Sequence, residues 1–196
     1  MQKRFLHRGY FKIEALCSNS TGFLSFWVET DRKIVALFTA VESRMYEQIM
    51  SVKYTEFVTE FSDDTSTSTI NSPQIESFQK LPEFQLFHFP EEHNISRLYQ
   101  IHCKLLTLYD QRKRRVIPNE GREIAYIYNA TLKRVIRQAE IGNYTYESAT
   151  NRYRLTWLNA FRQTFRFCWP VFPILCKLDK RKSQKLLQKL NVSDQY

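Results

Sequence analysis

The sequence predicts an α+β protein: an antiparallel sheet in the N-terminal half packed against two amphipathic helices, followed by a basic helical C-terminal tail. Three observations point there. Apolar residues alternate with a period of two up to about residue 90 and recur at helical spacing after it. Aromatic and β-branched residues crowd the first half, between short polar turns. Charge is divided between the halves: residues 1–96 carry 9 Lys/Arg against 13 Asp/Glu, and residues 97–196 carry 20 against 7. The expected organisation is one α+β domain over residues 1–155 and a basic, aromatic helical segment over 156–196.

The strands come first. Tyr10–Leu16, Phe23–Glu29 and Ile34–Phe38 are separated by Asn19-Ser20-Thr21-Gly22 and Thr30-Asp31-Arg32-Lys33, which are turn-forming. Short turns between successive strands make antiparallel hairpins. Arg44–Ser51 reads as a helical turn or a further strand. In Val52–Phe61, Thr55, Phe57, Thr59 and Phe61 share one face while Tyr54, Glu56, Val58 and Glu60 share the other. That pattern predicts one face on a core and one in water. After the turn at Ser62-Asp63-Asp64, Thr65–Ile70 reads either as the partner strand or as a polar loop. Phe84–Phe89 is a last short strand, stopped by Pro90.

Helices follow. Asn94 or Ser96 suits an N-cap, and Leu98, Ile101, Leu105, Leu108 and Tyr109 form an apolar stripe. This helix is expected to end in Arg112-Lys113-Arg114-Arg115, cations that complement its negative end. A second helix fits Glu120–Ile141, with Ile124, Tyr128, Leu132, Val135 and Ala139 on one face and Gly142-Asn143 as the stop. A third starts near Thr156, carries Trp157, Phe161 and Phe165 at i, i+4, i+8, and ends at Pro170. The last, Lys177–Leu190, holds six cations against Asp179 alone, with Leu178, Leu186, Leu187 and Leu190 as a partial apolar face.

A hydrophobic content of 43% excludes a wholly disordered chain. The glycines Gly9, Gly22, Gly121 and Gly142 stand apart, so no phosphate-cradling or dinucleotide loop is present. Cys17, Cys103, Cys168 and Cys176 form no C-x-x-C pair and read as free thiols of a reducing compartment. The N-terminus is basic without an apolar run behind it, unlike a secretory signal. No stretch reaches the roughly 20 apolar residues of a membrane span. The expected location is cytoplasmic, at most peripheral on the inner face of a membrane.

Several segments together resemble a family of small uncharacterised bacterial proteins. They are Glu56–Thr65, Thr69-Ile70-Asn71-Ser72, Leu98–His102 and Tyr153–Ala160, and the likeness extends over about residues 50–175. The resemblance implies a single unit there. The family has no assigned activity, so it implies no functional residue. The chain departs from it at Asp63-Asp64, where the resemblance implies Asp-Gly, and at Leu155, where it implies Pro.

Catalytic signatures are absent. His88, His93 and His102 with Cys103 are metal-binding types, but their spacing matches no standard site. Cys103 next to His102 is no dyad, because helix neighbours point about 100° apart. Turn preference accounts for Asp63 and Asp64. No cofactor is implied, and an enzyme of unrecognised type stays only as a second alternative.

The basic and aromatic segments say more. Trp157, Phe161, Phe165, Trp169 and Phe172, flanked by Arg162, Arg166, Lys177, Lys180, Arg181, Lys182, Lys185 and Lys189, combine interfacial rings with cations. Such a segment suits an anionic lipid surface or an acidic protein partner. The same rings could instead close the core. Arg112, Lys113, Arg114 and Arg115 are candidate phosphate contacts, which makes a nucleic-acid-binding module the alternative. The expected function is non-enzymatic: peripheral docking on an anionic membrane surface or membrane complex.

Overall fold

The computed structural model describes residues 5–14, 20–45, 48–72, 80–109 and 114–191. Six strands run in the order of the chain: β1 (Phe5–Glu14), β2 (Ser20–Glu29), β3 (Ile34–Met45), β4 (Gln48–Phe61), β5 (Ser66–Ile70) and β6 (Phe84–His88). The first five form an antiparallel meander, and β6 pairs parallel to β5. Helices α1 (Ile95–Tyr109), α2 (Glu123–Glu140), α3 (Trp157–Phe167) and α4 (Val171–Lys189) follow. Between α1 and α2 lies β7 (Arg115–Val116), and between α2 and α3 the hairpin of β8 (Tyr144–Glu147) and β9 (Arg152–Leu155). The mixed α+β architecture agrees with the sequence.

Arg44–Ser51 belongs to the long β3–β4 hairpin, whose register runs to Met45↔Gln48. Gly9 forms a bulge in β1 with φ +150, and a Cβ there would meet the Phe11 ring at 2.9 Å. Asp63 accepts hydrogen bonds from the Thr65 amide (3.2 Å) and hydroxyl (2.6 Å), and Asp64 adopts φ +61. The turn is thus of the Asp-x-Thr kind.

Around β4 the sheet is packed on both faces, which corrects the expectation that the Val52–Phe61 strand has one face in water. Ile34, Ala36, Phe57 and Phe61 meet Leu98, Tyr99, Ile101, Leu105 and Leu106 of α1. On the other face Phe26, Val28, Val35 and Val58 meet Ile117, Tyr126 and Ile127. A polar strand runs through the middle: Ser66, Thr67, Ser68, Thr69 and Ile70 are all buried. Buried hydroxyls need partners. His102 of α1, fully buried, supplies two of them. Its Nε2 lies 3.0 Å from Thr59 Oγ1 and its Nδ1 2.9 Å from Thr69 Oγ1. Burial, with a smaller push from the Arg115 charge, holds this imidazole down at about 3, so it is neutral at pH 7.

Asn94 Oδ1 caps α1 by accepting from the Arg97 amide at 3.1 Å. Helix α1 is described as far as Tyr109, and Leu108 there is exposed. The expected cationic helix terminus is corrected for Arg114 and Arg115 alone, neither of which is helical. Residues 110–113, with Arg112 and Lys113, lie outside the described residues, and Arg115 is already a strand residue of β7 on β4. Pro118 and the β-branched Val116 and Ile117 favour that extended path.

The C-terminal segment is helical but is not a free tail. Leu190 is buried in the α1 core cluster, and Leu186 and Leu187 pack against it. Lys104 Nζ donates to the carbonyls of Leu190 (3.0 Å) and Asn191 (2.9 Å), closing the C-terminus of α4.

Two outcomes test this arrangement. Leu190→Ala should cost about 2–4 kcal/mol in urea denaturation, as for other buried leucines; a cost near zero would mean that α4 is detached. The neutral His102 has a depressed pKa in the fold relative to its ordinary 6.5. The unfolded chain therefore binds the extra proton between about pH 6.5 and pH 3. The stability contributed by the neutral ring is full above 6.5 and is lost as pH falls through that window. The loss should approach about 1.4 kcal/mol per pH unit, and His102→Asn should remove that slope. Urea titrations of both proteins from pH 7 to pH 5 measure it.

Candidate functional site

The orientation of α3 is set by a polar knot at the end of α2. Gly142, at φ +81, turns the chain, and the Asn143 amide donates to Gln138 O at 2.9 Å. The buried Asn143 side chain donates to Gln138 Oε1. The Asn143 carbonyl then accepts from the Thr156 amide (3.1 Å) and from the buried Asn159 Nδ2 (3.3 Å). Thr156 Oγ1 donates to Gly142 O at 3.2 Å. These bonds seat the first turn of α3 with Asn159 inward.

Helical periodicity does the rest. With Asn159 inward, Ala160, Gln163 and Arg166 fall on the same half-buried side. Trp157, Leu158, Phe161 and Phe165 fall on the other and face solvent. The helix is amphipathic with its polar face towards the protein. Exposure of Trp157 is 81%, of Phe161 65% and of Phe165 55%, against the opposite expectation that these rings close a core. The rings of Phe161 and Phe165 stack at 6.4 Å.

The elbow between α3 and α4 extends this surface. Trp169 is 85% exposed, Phe167 packs on Phe172 at 5.7 Å, and Ile174 and Leu178 are exposed beyond them. Arg162 and Lys177 are exposed beside the rings, as are Lys180, Arg181 and Lys182. Lys180 reaches Glu91 at 2.5 Å, and Lys182 lies 3.9 Å from Asp179. At 1.5 Å per residue, Lys177 lies about 8 Å along the axis from Phe172, whereas Lys185 and Lys189 lie about 20 Å and 26 Å away. The last two flank the docked end of α4, far from the elbow.

Several of the remaining cations are engaged within the fold, while the Arg114 side chain is exposed. Arg115 donates to Arg32 O at 3.1 Å, its own carbonyl accepts from Lys33 Nζ at 3.3 Å, and Arg114 O accepts from the Ser62 amide at 2.9 Å. On α2, Lys133 pairs with Asp64, Arg137 with Glu83 at 2.6 Å, and Arg134 reaches Ser68 while lying over the Phe84 ring. The hydrogen bond from Arg137 holds the Glu83 carboxyl below its usual range. Burial pushes Glu60 up, against the pull of Lys133 and Arg134. Part of the basic half is therefore committed to the acidic half.

Sequence reasoning missed a second unpartnered stripe. The sheet-facing side of α2 carries Tyr126 and Ile127, so of the expected apolar face Ile124 and Tyr128 are exposed and Leu132, Val135 and Ala139 are half-buried; Ile136, outside that face, is exposed as well. Spacing identified the stripe; it did not say which way the stripe faced. Leu158 follows from the same spacing and could have been named, and Leu178, expected on the apolar face of the last helix, is exposed.

Catalytic geometry is not assembled by the residues singled out. His102 is engaged by Thr59 and Thr69, and His93 is exposed. Among the described residues no group of three His, Cys, Asp or Glu could hold a metal ion. Tyr99 donates to the buried Glu29, and Arg32 donates to Cys103 Sγ at 3.1 Å. Burial first, then the bond to Glu29, raises the Tyr99 pKa.

The inward face of α3 holds this surface in place and the outward face does not. Phe161→Ser with Phe165→Ser should therefore leave the unfolding free energy within about 0.5 kcal/mol of wild type. Asn159→Leu should cost about 1–3 kcal/mol by stranding buried polar partners. Chemical denaturation distinguishes this from rings that serve a core, where the double variant would lose several kcal/mol. No family model matches the chain, and neither a curated protein nor a solved structure matches it.

Proposed function

We propose that the protein docks peripherally on an anionic membrane surface through the outward face of α3 and the α3–α4 elbow. Trp157, Phe161, Phe165, Trp169 and Phe172 enter the headgroup boundary, and Arg162, Lys177, Arg181 and Lys182 meet lipid phosphates. Lys180 takes the rim, whereas Arg166 on the protein-facing side of α3 and Lys185 and Lys189 at the docked end of α4 stay outside the contact. The observation that carries this reading is the inverted amphipathicity of α3, whose rings face solvent while Asn159 and Gln163 face the protein. Exposed aromatic residues in this density mark an interaction surface.

Magnitudes favour insertion over adhesion by charge alone. Four juxtamembrane cations contribute about 4 kcal/mol, near millimolar affinity. Fully buried large apolar side chains contribute about 1.5–3 kcal/mol each, so even partial insertion of two or three rings brings binding to a useful range. No helix among the described residues is long and apolar enough to cross a membrane, and this role needs none. It places the protein on the inner face of a membrane and requires no reaction.

Co-sedimentation with vesicles of neutral phosphatidylcholine, with and without about one-third phosphatidylserine, tests the reading. Binding should require the anionic lipid, weaken with salt, and shift the emission of Trp157 and Trp169 to the blue. Phe161→Ser with Phe165→Ser should abolish it without unfolding the protein. Equal recovery with and without anionic lipid would overturn the proposal. A salt-sensitive shift of an oligonucleotide without vesicle binding would favour nucleic acid in its place.

A further inference from the structure

The α1 face of the sheet is only partly covered. Helix α1 packs over β4 and β5. Over β1, β2 and β3 the register lays out rows of side chains on that same face. One row is His7, Trp27, Ala36 and Phe57; the next is Tyr10, Ser25, Phe38 and Thr55; the next is Lys12, Phe23, Ala40 and Lys53. Successive rows are two residues, or about 6.6 Å, apart. Among the described residues this pavement is overhung by His93 and by the first turns of α1, through Ile95, Ser96, Tyr99 and Gln100.

Two hollows result, and they are contiguous, since Phe38 and Ile95 line both. The inner one, about 400 Å³, is walled by Phe5, Trp27, Phe38, Phe57 and Tyr99 and has no charged residue in its lining. The outer one, about 600 Å³, carries Lys12 and Lys53 and no Asp or Glu. Both volumes lie in the range of small-molecule sites, which are apolar with a few placed polar groups. Tyr10 and Phe23 along the outer hollow are 77% and 47% exposed. Such a cleft offers water few partners.

Charge orders the groove. The N-terminal half carries more acids than bases, yet both cations of this lining stand on one cross-strand row. Their Cα atoms are three strand spacings apart, about 14 Å. Two flexible four-carbon stems can close on a headgroup between them.

We infer that this groove binds an anionic amphiphile, with its apolar body between Trp27, Phe38 and Tyr99 and its carboxylate or phosphate at Lys12 and Lys53. The site shares no residue with α3 or α4, so it stands independently of the membrane reading. It is a small-molecule site, and its ligand is a single-chain acid or phosphate monoester rather than a bilayer.

The test uses the full chain with Trp157→Phe and Trp169→Phe, which leaves Trp27 as the reporter among three tryptophans. Dodecyl phosphate and dodecanol are titrated below their aggregation limits. The expected result is a saturable change in Trp27 emission at one ligand per chain, at least tenfold tighter for the phosphate. Lys12→Gln with Lys53→Gln, at two exposed positions, should weaken the phosphate at least tenfold and leave dodecanol unchanged. Filling the inner hollow by Ala36→Leu should weaken both. Adding Phe161→Ser and Phe165→Ser should change neither. The inference is overturned by a non-saturable response, by equal affinity for the alcohol, by indifference to the lysine pair, or by loss of binding in the α3 variant.

Discussion

One imidazole locks the sheet to its first helix. β5 is a run of Ser and Thr with a single Ile, and it sits between β4 and β6 with helices over both faces. Such a strand has little to bury and many hydroxyls to satisfy. His102 answers both needs, because a neutral ring offers one donor and one acceptor and meets Thr59 and Thr69 together. A protonated ring would present two donors in a dry site and would also face Arg115. The geometry thus depends on neutrality, and neutrality depends on burial by α1. This contact also fixes where α1 lies. Centred over β4 and β5, the helix leaves β1 to β3 half covered on that face, and the groove is the consequence.

The second constraint is electrostatic. The acidic first half and basic second half read as a signal for an external anion, and part of that signal is internal. Lys133, Arg137 and Lys180 reach Asp64, Glu83 and Glu91. These are partly exposed pairs, worth little individually. Their effect is positional: they hold α2 along the β5–β6 side and α4 near the start of α1. Arg115 is similarly spent on the β2–β3 turn. The cations left for a partner cluster near α3 and the first half of α4, a smaller set than the sequence offered.

What the sequence made legible follows the strength of local pattern. The alternation in Val52–Phe61 marks β4, and the Thr/Ser run, ambiguous by composition, is a strand because it pairs with β4 at Thr59↔Thr67 and Phe57↔Thr69. The caps and stops at Asn94, Gly142 and Pro170 place the helices to within a few residues. β7 is two residues long, and β8 and β9 are four each, too short for a period to register; their pairing rests on contacts such as Tyr146 with Tyr153. The parallel β5–β6 pair was hidden by the assumption that neighbours form hairpins. Facing was the deeper gap. Periodicity gave a stripe on α2 at Ile124 and Tyr128, yet Tyr126 and Ile127 are the residues on the sheet. A stripe says that one side of a helix differs from the other. Only a tertiary anchor says which side is inside.

That distinction decides α3. Its ring-bearing face would ordinarily be read as core, since burying three large rings is worth several kcal/mol. The knot of Asn143, Thr156 and Asn159 works against that gain, because turning the rings inward would strand the Asn143 carbonyl and carry Asn159 and Gln163 into water. The local hydrogen bonds therefore fix a helix whose apolar surface is unspent in the isolated chain. A formal net charge of +9 opposes self-association through this surface. Burial gained only when a partner arrives is then available in full for binding, because the helix is already formed and little ordering entropy remains to be lost.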